Sequence, residues 1–242
     1  FRSVKVLDFS WALAGSLSTK HLGDHGADVI KIESSTRPDL ARFEVQVKLS
    51  KPGNPDDKPW FVDLNTSKYG LRLNLKQPKS RRIVEGLIAW ADVVIENFTP
   101  GTMAKLGLDY ERIRKLKPDI IMLSGSVYGQ TGPMAQSWGM DGTGNALSGR
   151  LTLTGWPDRC PVAPSAAVFG DVVQPVFNAL AIVAALDYRR RTGLGQYIDS
   201  TMFEIMAQYT APAILDWQAN RHTPARDGNR VPYASPHGVF PR

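Results

Sequence analysis

Through its first 125 residues the chain alternates short apolar runs with segments whose apolar positions recur every three or four residues. Residues 4–9 (VKVLDF) are β-branched and alternating, which predicts a strand, and residues 27–33 (ADVIKIE) predict a second one. The intervening LSTKHLGDHGA has helical composition with glycine at its end, so the chain opens as β-α-β. From Ser34 to Trp60 this order gives way to Pro, Asp, Lys and Gly, the composition of a long surface excursion of the kind that often carries function. Strand and helix then resume: GLRLNL (70–75), QPKSRRIVEGLIAWA (77–91) with proline in its first turn, DVVIEN (92–97), YERIRKLKP (110–118) halted by proline, and DIIMLSG (119–125). Regular alternation of this kind predicts an α/β fold, a Rossmann-like parallel sheet with helices on both faces.

A later helix has legible ends and an unusual start. In AAVFGDVVQPVFNALAIVAAL, Asp171 follows a glycine and precedes one of the most apolar segments of the chain. Asp171 with Gln174 three positions on resembles a capping box, Pro175 falls near the first turn, and Arg189 to Arg191 with Gly193 mark the far end. Local sequence therefore accounts for Asp171 as an N-cap. A carboxylate at a helix N-terminus is also placed to be a reactive group that the helix end keeps ionised.

Composition narrows the partners. The 242 residues, 43% hydrophobic, suffice for one large α/β domain or two small ones, and the net charge of +6 suits an anionic ligand. The basic residues are dispersed apart from Arg189 to Arg191, with no zinc-finger or RNA-binding signature, so nucleic acid is disfavoured and a nucleotide-like small molecule is not. The single cysteine, Cys160, leaves no intramolecular disulfide and fits a reducing, cytoplasmic compartment. The apolar run Val176 to Leu186 is interrupted by Asn178 and is shorter than the ~20 residues of a membrane span, so it reads as a core helix. The chain starts without methionine and stops at SPHGVFPR, which we read as a piece of a longer protein.

Several chemistries fit poorly. Only Gly15 occurs in WALAGSLSTK, whereas a dinucleotide fingerprint needs further glycines for the turn and for approach of the pyrophosphate. GMDGTGNALSG matches neither that fingerprint nor a phosphate loop and reads as a turn into a closely packed helix. His21 and His25 are four apart but lack the glutamate of a metalloprotease motif, and no nucleophile elbow surrounds Ser124 or Ser126. ENFTPG follows a strand directly, which puts Asn97 and Phe98 at the C-terminal sheet edge where open α/β sheets bind ligands, although an ordinary turn at Pro100 would read the same.

Taken in order, VKVLDFSWALAG, GADVIKIE, ADVVIENFTPGTMAKLGLDY, GSVYGQTGP, ALSGRLTLTG and RRTGLGQYIDSTMFE resemble the family III CoA-transferases, a group that includes formyl-CoA and carnitine CoA-transferases and the related α-methylacyl-CoA racemases. The resemblance runs from about Val4 to the end and implies that Asp171 is the catalytic aspartate. By the same resemblance, it is expected to attack the thioester of a donor acyl-CoA to give a mixed anhydride and CoA thiolate. The donor acid is then exchanged for an acceptor acid, and the chemistry runs back to a new thioester. The same resemblance implies coenzyme A contacts at Trp11, Leu13, Ala14, Leu64, Lys68, Asn97, Phe98, Lys105, Trp138, Met140 and Met202, acyl-CoA as substrate with no permanently bound cofactor, and no metal. It divides the chain into a large CoA-binding domain over residues 1–210 and the start of a linker toward a small domain over 211–242. It also implies interlocked dimers, homodimeric or with a homologous subunit, and places a glycine-rich loop that closes over the aspartate beyond Arg242.

Departures from the family pattern bear on the acyl group. Trp11 and Leu13 stand where some relatives carry His and Gln, and Trp138 and Met140 where some carry Lys and Tyr, which implies a larger and more apolar acyl pocket. With Trp156, these tryptophans hint at an aromatic or bulky acid exchanged with succinyl-CoA, while scattered tryptophans are also ordinary core residues. Two alternatives of function stay open at this point, a racemase or isomerase of the same fold and a non-catalytic subunit of a heteromeric transferase. Against the racemase, Met140 stands where those enzymes carry histidine, and it has no proton to give.

Overall fold

A computed structural model describes residues 1–34, 36–43, 54–162 and 168–240. Six strands, β1 (Lys5–Asp8), β2 (Asp28–Glu33), β3 (Lys68–Arg72), β4 (Val93–Glu96), β5 (Ile121–Ser126) and β6 (Tyr197–Thr201), form one sheet in the order β3-β2-β1-β4-β5-β6. All five pairings are parallel, with Val6 opposite both Val29 and Val93, and Met122 opposite Tyr197. The central strands β1 and β4 are covered on both faces, which is why they read as continuous apolar runs. The third strand begins two residues earlier than the sequence pattern predicts and ends at Arg72, because it pairs with β2 through Lys68 and Tyr69 at the sheet edge, where one side stays exposed.

Helices α1 (Ala14–Asp24) and α7 (Phe169–Thr192) pack on one face, where Leu22 and Ile182 meet Val6, Val29, Val93, Ile95 and Leu123. Helices α3 (Pro78–Trp90) and α5 (Tyr110–Leu116) cover the other, where Val84, Ile88 and Ile113 meet Leu7, Val94 and Met122. Asp109 starts α5 by accepting the Arg112 N–H at 3.2 Å, the ordinary work of an N-cap carboxylate. The excursion after β2 contains a 3₁₀ turn at Leu40–Arg42, another at Pro55–Asp57 and helix α2 (Pro59–Leu64). Among the described residues the chain also forms a 3₁₀ turn at Arg150–Leu153 and helices α4 (Thr102–Lys105), α6 (Asp141–Leu147), α8 (Met202–Gln208) and α9 (Ala211–Asn220). The last falls within the stretch expected to be linker, and it is helical.

The long helix differs from its sequence-based description in two respects. By length and composition its 24 residues suffice to cross a membrane. One face, however, carries buried Gln174 and Asn178, whose amides reach Ser200 and Ser18 and tie the helix to β6 and α1. The opposite face is not core: Val172, Val176, Leu180 and Val183 form an exposed apolar stripe. Gly193, at φ +75°, ends the helix in the left-handed conformation, beyond three arginines that favour the negative helix end.

Candidate active site

The sheet order reverses between β1 and β4, and the turns leaving these two strands open the crevice where doubly wound sheets bind ligands. The turn after β1 runs through Trp11, Ala12 and Leu13 into α1. Ala12 adopts φ +54°, a conformation that costs a non-glycine residue about 1–2 kcal/mol. Two side chains hold it there. Asp39 Oδ1 accepts the Ala12 N–H at 2.9 Å, and Asn97, just past β4, accepts the Trp11 N–H at 2.8 Å while donating to the Trp11 carbonyl at 2.9 Å. Gly15 permits this closeness, since a Cβ there would lie 2.8 Å from Asn97 Cγ and 2.3 Å from Ser10 Cβ.

Asp39 is itself anchored from below. Its Oδ2 lies 3.0 Å from Lys31 Nζ, which also donates to the Ser10 carbonyl at 2.7 Å. Beside this pair Asp8 faces Lys68 Nζ at 3.3 Å and accepts from Thr19 Oγ1 at 2.6 Å. All four charges are almost fully buried. Burial pushes the Lys68 ammonium down to about 8, against the pull of Asp8. Asp8 is resisted by its own burial, yet Lys68 and Lys31 hold its carboxyl below the ordinary range.

A cleft of about 750 Å³ opens above this base. Of the residues implied as site members, Leu13, Ala14, Asn97, Phe98, Trp138, Met140, Asp171 and Met202 line it together. Trp11 stands behind the lining with its ring edge-to-face on Phe98, centroids 5.7 Å apart. Leu64, Lys68 and Lys105 are not in the lining: Leu64 is the buried last residue of α2, the Lys68 ammonium turns inward to Asp8, Ser16 and Asn65, and Lys105 is exposed at the end of α4. Trp60, Leu40 and Ala41 from the excursion after β2 close one wall, so that segment does reach the cleft. Residues 163–167, which include the first two alanines of AAVFGD, lie outside the described residues.

Asp171 is not the N-cap of its helix. Val168 occupies that position and offers no side-chain cap, Asp171 is the third helical residue, and Pro175 sits inside the helix rather than near its start. The donor of a capping bond here is Asp171's own backbone: its N–H points at Asp141 Oδ2, 2.9 Å away. Gln174, the expected capping-box partner, instead donates to the Ser200 carbonyl at 3.0 Å. The electrostatic expectation is corrected with it. Burial, reinforced by the neighbouring Asp141 charge, pushes the Asp171 carboxyl up to about 7, so the helix end does not keep it fully ionised at neutral pH. Gly170 before it allows α8 to press close, since a Cβ would lie 1.9 Å from Met206 Cε and 2.7 Å from Met202 Sδ.

Three residues of this site escape sequence reasoning. Asp141 lies in GMDGTGN, which correctly predicts a tightly packed helix but not a partner 30 residues away. Asp39 belongs to a stretch with no periodicity. Glu96 ends β4, and burial pushes its carboxyl up to about 7 while its Oε2 accepts the Phe98 N–H at 2.7 Å, fixing the backbone of a cleft residue.

The sheet order, with the cleft and the Asp171 carboxyl at its switch point, defines a doubly wound α/β protein, and the chain belongs to CoA-transferase family III, whose model matches residues 1–242. It is 37% identical over 240 residues to an acetyl-CoA:oxalate CoA-transferase of Acetobacter aceti, covering 99% of this chain and 60% of that protein. It is 36% identical over 234 residues to a succinyl-CoA:glutarate CoA-transferase of Mus musculus, covering 95% of this chain and 52% of that protein. Among solved structures, a CAIB/BAIF family protein from Brucella suis matches with TM-score 0.87 and 35% identity, over 97% of this chain and 61% of that one. The chain thus spans between 52% and 61% of the length of these relatives.

Proposed function

We propose that the protein moves coenzyme A from an acyl-CoA donor to a carboxylic acid acceptor through a covalent intermediate on Asp171. The observation that carries this reading is Asp171, in the first turn of α7, opening onto the cleft at the switch point of the sheet. In the reaction one Asp171 oxygen attacks the thioester carbon, the C–S bond breaks, and the electron pair leaves with the CoA sulfur, giving a mixed anhydride. The thiolate then attacks the aspartyl carbonyl, releasing the donor acid and leaving an aspartyl-CoA thioester. An acceptor carboxylate reverses both steps, restoring Asp171 and carrying the thioester away. A carboxyl titrating near neutrality is a stronger nucleophile than an ordinary aspartate while still being substantially ionised at pH 7.

Phe98, Tyr128, Trp138 and Met140 on the cleft wall support an acceptor with a bulky or aromatic acyl group, and the likeness to the mouse succinyl-CoA:glutarate CoA-transferase supports succinyl-CoA as donor. The exposed stripe on α7 supports a dimer in which a second copy covers it. The lone cysteine, Cys160, supports a reducing, cytoplasmic setting. The test is a donor and acceptor panel assayed by CoA-ester formation, with hydroxylamine added during turnover. Acid-dependent transfer with a hydroxamate at Asp171 is the expected result, and unchanged transfer by Asp171→Ala overturns the assignment.

A further inference from the structure

The first turn of α7 needs an acceptor that its own sequence does not supply. Its N-cap residue, Val168, has no polar side chain, so the free N–H groups of the turn are left to another element. Asp141, the first residue of α6 and only 6% exposed, lies against them: its Oδ2 accepts the Asp171 N–H at 2.9 Å. The rest of the Asp141 carboxylate is also engaged, because Oδ1 accepts from Asn145 Nδ2 at 2.5 Å. Asn145 Oδ1 in turn accepts from Arg150 at 3.1 Å, and the Arg150 guanidinium lies 3.6 Å from the ring centre of Phe169, the first residue of α7. The chain Arg150–Asn145–Asp141 therefore begins and ends on the same helical turn.

We propose that Asp141 is a positioning residue for the acyl-transfer step, holding the Asp171 turn in place of an N-cap, with Asn145 and Arg150 keeping its carboxylate in register. The proposal rests on the reading of Asp171 as nucleophile. Hydrogen-bond acceptance by Asp141 consumes the helix-end donor that would otherwise lower the Asp171 carboxyl, and its negative charge acts in the opposite direction. The charged groups that bear on the pair are few: Asp141 acts on Asp171, and Arg150 acts on Asp141. Asp141 thus serves two ends with one carboxylate, fixing where the nucleophile points and making it more basic.

The experiment is a carboxyl ¹³C NMR titration of aspartate-labelled protein, with the Asp171 resonance assigned from Asp171→Asn, run beside steady-state kinetics. In Asp141→Asn the Asp171 midpoint should fall by about one pH unit, and kcat should drop by about 10- to 100-fold while KM for acyl-CoA stays within threefold. Arg150→Ala, which leaves both carboxylates, should reproduce the kcat loss in weaker form with the midpoint moved by less. An Asp171 midpoint and kcat both unchanged in folded Asp141→Asn overturn the proposal, as does a kcat loss with an unmoved midpoint, which assigns Asp141 to structure alone. Because the titration needs no turnover, a shifted midpoint alongside transfer that survives Asp171→Asn would instead refute the nucleophile assignment and leave the coupling standing.

Discussion

Asn97 grips the peptide of Trp11 from both sides, accepting its N–H at 2.8 Å and donating to its carbonyl at 2.9 Å. The two residues leave neighbouring strands at the point where the sheet order reverses, so this pair ties together the two loops that form the floor of the cleft. Replacing Asn97 by Ala removes both bonds and leaves a half-buried peptide unsatisfied. Stability should fall by about 1–3 kcal/mol, and KM for acyl-CoA should rise at least tenfold as the Trp11 turn loosens. Asn97→Asp keeps the acceptor alone and should fall between. Denaturant midpoints and steady-state kinetics on the three proteins check the order.

The pH dependence of transfer follows from Asp171. With its carboxyl pushed up to about 7 by burial and by Asp141, the nucleophilic anion becomes dominant only above that pH. The acid limb of kcat/KM should therefore bend near pH 7, about three units above an ordinary aspartate. A profile flat from pH 5 to 8 would show that Asp171 is already ionised in the free enzyme.

The same shift has a consequence for stability, with the sign opposite to that of a salt-bridged aspartate. The folded protein binds the Asp171 proton more tightly than the unfolded chain does, so between about pH 4 and pH 7 stability falls as pH rises. Above pH 7 the whole cost of the buried anion is present. Asp171→Asn should consequently be more stable than wild type at pH 8, by several degrees in Tm, and nearly equal to it at pH 5. Thermal melts of both proteins at the two pH values decide this, and an Asn variant less stable at pH 8 contradicts it.

The buried cluster under the cleft should be sensitive to single deletions. Asp8→Ala removes the carboxylate that Lys68 meets at 3.3 Å and leaves the Lys31–Asp39 ion pair beside it, at a cost of about 3–5 kcal/mol. Removing Lys68 as well, as Asp8→Ala with Lys68→Met, should return much of that loss, since an apolar pair has no charge to desolvate. Urea unfolding of the single and double variants measures the difference.

Racemase chemistry needs two proton-exchanging groups on opposite sides of the α-carbon. The lining of the cleft among the described residues carries two carboxylates, Asp141 and Asp171. Both Asp141 oxygens are hydrogen-bonded, to Asn145 and to the Asp171 backbone, and Met140 is aprotic, which leaves Asp171 as the free carboxyl. Incubation with a 2-methylacyl-CoA in heavy water, without acceptor acid, should give no deuterium at the α-carbon. Rapid uptake with loss of chirality would reverse the assignment.

The architecture was legible in the sequence wherever burial is decided locally. VVI in β4 and IML in β5 are apolar because parallel strands are covered on both faces, and the Arg–Gly end of α7 follows from the helix dipole and from glycine's access to positive φ. Ordered motifs likewise singled out Asp171, Asn97 and Phe98, which the structure gathers into one cleft. What depended on distant pairs was not legible. That the Lys68 ammonium meets Asp8, 60 residues earlier, at 3.3 Å could not be read from either stretch, and Asp171 reads as a cap until Asp141, 30 residues earlier, is found accepting its N–H. The physical reason is the same in both cases: the sequence fixes which groups can ionise or donate, but desolvation and the approach of a second charge set their state, and both exist only once the chain has packed.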